Sequence, residues 1–110
     1  MLRFVFDCET NGLLHELDTV HSLVLRDIDD GDVISCSDHD GYESIANGLY
    51  MLSKADLLVG HNIINFDFRS LKKVYKSFKL KKNCKIENVY LEAGYLLIIQ
   101  ELQRFLLFQV

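Results

Sequence analysis

Asp7 and Glu9 stand two residues apart at the end of an apolar run, "FVFDCETNG". In a β-strand alternate side chains share a face, so the two carboxylates point the same way and Cys8 points opposite. Two acids so placed repel each other unless a cation lies between them, and Mg²⁺ or Mn²⁺ prefers such hard oxygen ligands. An Asp-x-Glu triplet alone is common by chance. A second stretch, "ADLLVGHNIINFDF", adds context: an apolar run, then Asn62, then Asp67 enclosed by Ile63, Ile64, Phe66 and Phe68. Sites of sheet-based α/β domains gather at strand ends. Asp67 is expected in the first turn of a helix, where the macrodipole favours its ionised form. If the two strands are neighbours, Asp7, Glu9 and Asp67 converge on a metal pair. Asn62 either orients the acid or the substrate backbone, or simply makes the turn.

The elements that must position these acids follow from pattern. "LRFVF" reads as a buried strand closed by the turn "TNG", and "HSLVLRDI" and "DVISCS" as two more. The hairpin between them uses Asp30 and Gly31 at positive φ. "DIDDGD" is not a calcium loop, because its glycine falls one place early and no glutamate closes it. "GYESIANGLYMLSKA" carries apolar residues at helical spacing, and "ADLLVG" is a short buried strand. Asn65 is expected to cap a helix whose stripe is Phe68, Leu71, Val74, Tyr75 and Phe78. "KLKKNCK" is expected as a loop. The segment "LEAGYLLIIQELQRFLLFQV" reads as a buried helix or an oligomer seam. Its central polar residues argue against a membrane span. The order βββαβα with a final helix describes an α/β domain with a mixed sheet.

The 110 residues suit one domain, and 49% hydrophobic content supports a real core. Net charge is −4, yet Lys72, Lys73, Lys76, Lys79, Lys81, Lys82 and Lys85 supply seven of the twelve basic residues. That separation suits either a solvated helix face or a polyanion held by lysines on one side and by metal ions on the other. The three cysteines have no C-x-x-C spacing, which gives neither a disulfide framework nor a zinc site and points to the reducing cytoplasm. The N-terminal apolar run is too short for a signal peptide. No G-x-G-x-x-G or P-loop is present to support a nucleotide-binding regulator.

"FDCETNGLL", followed about fifty residues later by "LLVGHNIINFDFRSLKK", resembles the first two motifs of the DEDD-type 3′–5′ exonucleases. Within that family it is most similar to the N-terminal proofreading domain of family A DNA polymerases from short-tailed phages. The resemblance covers residues 1 to about 86; residues 87–110 form a divergent apolar segment. It implies an RNase H-like mixed sheet flanked by helices, truncated at its C-terminus, and two-metal hydrolysis of phosphodiesters at single-stranded DNA 3′ ends. It implies that Asp7 bridges two Mg²⁺ or Mn²⁺ ions, that Glu9 binds the nucleophile-side metal and that Asp67 holds the other. His61, Asn62, Thr10 and Asn11 would face the substrate strand. Leu13, Leu14 and Phe66 would wedge or stack the terminal base, and Lys72 and Lys73 would track phosphates.

The family's third motif ends in an aspartate, and this chain has none after Asp67. Glu101 or Glu92 is the candidate replacement. The sequence therefore supports two functions. One is a small metal-dependent exonuclease, free-standing or a fragment of a split polymerase. The other is a catalytically weak or inactive module of the same fold. Such a module binds nucleic acid or a polymerase partner, or forms a homodimer through its apolar C-terminal helix.

Overall fold

The computed structural model describes residues 1–89. Five strands form one mixed sheet in the order β3-β2-β1-β4-β5: β1 (Arg3–Thr10), β2 (Val20–Asp27), β3 (Val33–Ser37), β4 (Leu57–His61) and β5 (Lys85–Val89). The first three strands pair antiparallel in succession, whereas β4 runs parallel to β1 and β5 parallel to β4. Helix α1 (Ile45–Lys54) carries the crossover from β3 to β4, and α2 (Phe68–Val74) the crossover from β4 to β5. This is the RNase H-like α/β arrangement expected from the sequence.

The centre of the sheet is apolar because β1 contributes Phe4, Phe6 and Cys8 to one face, next to Leu23 and Leu25 of β2 and Leu58 of β4. Ile45 and Leu52 of α1 and Leu71 of α2 close over that face. Each such side chain contributes about 1.5–3 kcal/mol on leaving water. α1 starts at Ser44, whose hydroxyl accepts the Asn47 N–H at 3.1 Å. It packs so tightly on the sheet that a Cβ at Gly48 would lie 2.7 Å from Cys36 Sγ and 2.9 Å from Leu23 Cδ2. Gly48→Ala is therefore expected to lower stability by about 1–3 kcal/mol from overpacking, despite alanine's better helix propensity. A urea midpoint equal to the parent's would contradict the close contact.

"KLKKNCK" is loop through Cys84, as expected, and Lys85–Val89, assigned to no element from the sequence, form the edge strand β5, in parallel register with β4 from Leu57↔Lys85 to His61↔Val89. Three expectations are corrected. Asn65 does not cap α2: it lies within a π-helical turn, Ile63–Asp67, that runs directly into the helix. α2 ends at Val74 rather than continuing along its apolar stripe. The Lys72 ammonium donates to the Lys76 and Phe78 carbonyls, at 2.7 and 3.0 Å, and the chain turns there. In the β2–β3 hairpin only Gly31 has positive φ, and the Asp27 carboxylate holds the loop by accepting the Asp29 and Asp30 N–H groups. The expected C-terminal helix, with Glu92 and Glu101, lies outside the described residues.

Candidate active site

Parallel pairing of β1 with β4 brings Asp7 and the segment after His61 to one end of the sheet. At that end the chain makes an abrupt change of direction. Asn62 adopts φ 53°, ψ 33°, left-handed backbone that asparagine tolerates better than most residues. The π turn then carries Asp67 back over β1. Asn88 of β5 steadies this turn by accepting the Ile64 N–H at 3.3 Å. Phe68 sets its ring 5.4 Å from that of Phe6, which ties the start of α2 to β1. Gly60 is required beneath the turn, since a Cβ there would meet Ile63 Cγ2 at 2.3 Å and the Phe6 carbonyl oxygen at 3.0 Å.

Asp67 is only 3% exposed. One of its oxygens accepts both the Cys8 N–H at 3.2 Å and the Cys8 thiol at 3.4 Å. Cys8 does point away from Asp7 and Glu9 along the strand, but Asp67 reaches it by coming in over the strand. Burial, then the charge of Asp67, then that of Glu9, push the Asp7 carboxyl up to about 8. Burial also raises Asp67, to about 6, against the lowering effect of the Cys8 donors and of Asp7. The two acids share a hydrogen bond and titrate as a unit. The Cys8 thiol is raised well above its ordinary range, first by burial and then by Asp67, so it stays a neutral donor.

Asp7, Cys8, Glu9, His61, Asn62, Phe66 and Asp67 line one recess of about 240 Å³. Glu9 is exposed at its rim, where a bulge in β1 between Glu9 and Thr10 shifts the register with β2. Thr10 and Asn11 lie beyond the recess, and their side chains bind the following loop. Thr10 Oγ1 donates to the Gly12 carbonyl, while Asn11 bonds Asp18 and accepts the Thr19 N–H. Leu13 is exposed on that loop and Leu14 is half-buried. Lys73 ties the loop to α2 by donating to the Leu14 carbonyl at 2.9 Å, and Lys72 is engaged at the end of α2. Cys8 and Asn88 position the site yet carried no signal beyond their place beside it.

Among the described residues, no group of three or more His, Cys, Asp and Glu stands close enough to hold a metal ion. The expected three-acid cluster narrows to a pair, Asp67 buried and Asp7 half-buried, with Glu9 near it. Two close carboxylates that resist joint ionisation fit one divalent ion in kind: the oxygens are hard, and the repulsion between them is what such an ion would relieve. No described helix is long and apolar enough to cross a membrane.

Neither family models nor curated proteins match this chain. Among solved structures, it is similar to the family B DNA polymerase of the hyperthermophilic archaeon Pyrobaculum calidifontis, with a TM-score of 0.54 and 18% identity over 78% of this chain. The chain corresponds to 13% of that polymerase's length, so the shared property is a fold that also occurs within a DNA polymerase.

Proposed function

We propose that this chain is a metal-dependent 3′–5′ exonuclease of the proofreading type, hydrolysing phosphodiesters at single-stranded DNA 3′ ends. The observation that supports this reading best is the close approach of half-buried Asp7 on β1 and buried Asp67 in the turn that follows the adjacent parallel strand β4. Asp7 and Asp67 would hold Mg²⁺ or Mn²⁺, and Glu9, exposed at the rim, would complete the ligand set. A bound ion of this kind lowers the pKa of water and offsets charge on the leaving oxygen. Cys8 fixes the Asp67 carboxylate with two donors. Phe66 offers a half-buried ring to the terminal base, and His61 and Asn62 flank the strand's path. The natural partner is a DNA polymerase, as subunit or fragment, and the natural compartment is the cytoplasm.

The absence of a third close ligand among the described residues favours a second reading. On this reading the chain is a catalytically weak or inactive module that binds nucleic acid or a polymerase, or self-associates through its apolar C-terminal segment. Incubation with a 5′-labelled oligonucleotide separates the two. The exonuclease gives a ladder of stepwise shorter products with Mn²⁺ and none with EDTA. Intact oligonucleotide after prolonged incubation with Mn²⁺ would leave the binding module.

A further inference from the structure

A larger groove lies away from the acids, between α1 and the segment that follows α2, and shares no lining residue with the acid recess. It measures about 990 Å³. Its floor is aromatic and apolar, with Leu49 and Tyr50 from α1 and Tyr75 from the end of α2. Its rim is cationic, with Lys54 on one side and Lys79, Lys81 and Lys82 on the other, and no acid lines it. Lys81 is paired with Asp56. Lys54, Lys79 and Lys82 have no acidic partner among the described residues. Tyr50 is 61% exposed. The Lys54 ammonium sits 5.4 Å from its centroid.

An exposed flat ring beside ammonium groups that have no acidic partner among the described residues is a combination that binds single-stranded nucleic acid without sequence preference. Planar bases gain by stacking on the ring, and phosphates gain by displacing counterions at the lysines. Lys72 and Lys73 do not line the groove, and their ammonium groups donate to carbonyls. The later lysines, joined by Lys54 from another element, remain available. We propose that this groove is a contact for single-stranded nucleic acid in its own right, with bases against Tyr50 and phosphates against Lys54, Lys79 and Lys82. The contact does not depend on the acid pair or on a metal. An acidic polypeptide would satisfy the lysines but would leave the exposed ring without a planar partner.

Fluorescence anisotropy of a labelled oligo-dT of about 12 nucleotides, with the full chain in EDTA, tests the groove. The wild type is expected to bind. Lys79→Glu with Lys82→Glu should weaken binding at least about tenfold and lower the salt slope by about 1.4, the share of two phosphates on a single strand. Tyr50→Ala should weaken it about tenfold, with Tyr50→Phe restoring it. Since Tyr50 is exposed, its variants remain informative even where the double lysine variant fails to fold. Equal binding by Tyr50→Ala and the wild type overturns the proposal, as does no binding by the wild type. Displacement by polyglutamate at equal charge also overturns it and assigns the groove to an acidic polypeptide. Binding in EDTA without any Mn²⁺-dependent shortening would keep the groove and remove the nuclease; shortening without this binding would do the reverse.

Discussion

Asp7→Asn is expected to stabilise the metal-free protein at pH 8 while abolishing Mn²⁺-dependent shortening of an oligonucleotide. The stability effect follows from the raised carboxyl. Below about pH 4 Asp7 is protonated in both the folded and the unfolded chain, so its burial adds no electrostatic cost. As pH rises the unfolded carboxyl ionises near its ordinary value of 3.8, while the folded one keeps its proton until about 8. The unfolded state is thus favoured progressively across that window, and the wild type loses stability on the order of a few kcal/mol. The amide introduced by Asp7→Asn does not titrate, so the variant should lose stability less steeply than its parent between about pH 4 and 8, the remaining loss coming from Asp67, whose folded carboxyl is raised to about 6. The carboxylates whose pKa is lowered, Asp18, Asp29 and Asp56, act below this window. Urea midpoints in EDTA at several pH values check the first half. A variant that loses stability with pH as steeply as its parent would show that Asp7 is not the group responsible. The activity loss should be on the order of a thousandfold, since an amide cannot supply the anionic oxygen that a hard divalent ion requires.

Gly60→Ala is expected to be the most damaging single-methyl change near the site. The added carbon would overlap Ile63 and press on the Phe6 carbonyl, a backbone atom of the central strand. Ile63 is fully buried, so it cannot swing into solvent. Either the π turn lifts away from β1 or β4 separates from it, at a cost of about 2–4 kcal/mol. Lifting the turn would also withdraw Asp67 from its Cys8 donors. Thermal melting should therefore show a fall in Tm together with loss of the pH-dependent stability seen in the wild type. A variant with parental Tm would mean that the turn has room the contacts do not show.

Much of this architecture was legible in residue order. Strand parity separated Asp7 and Glu9 from Cys8, and an apolar run ending in "GHN" marked a second strand end. What escaped was tertiary in origin. "KIENV" alternates charge with apolar residues weakly, and only pairing along β4 makes it a strand. The end of α2 is set by Lys72 reaching carbonyls four and six residues ahead, which no helical stripe reveals. The role of Cys8 depends on a π turn and a left-handed asparagine that together swing Asp67 across the strand. Asn62 was readable as a turn former, but the direction of the turn was not.

The central claim is that Asp7 and Asp67 form one cation-binding pair. Crystals of the full chain soaked in Mn²⁺ at pH 8 and measured at the manganese absorption edge test it most directly. An anomalous peak at about 2.0–2.3 Å from oxygens of both carboxylates is the result the account predicts. A strong peak elsewhere, or none while Asp7 and Asp67 remain bonded to each other, would contradict it.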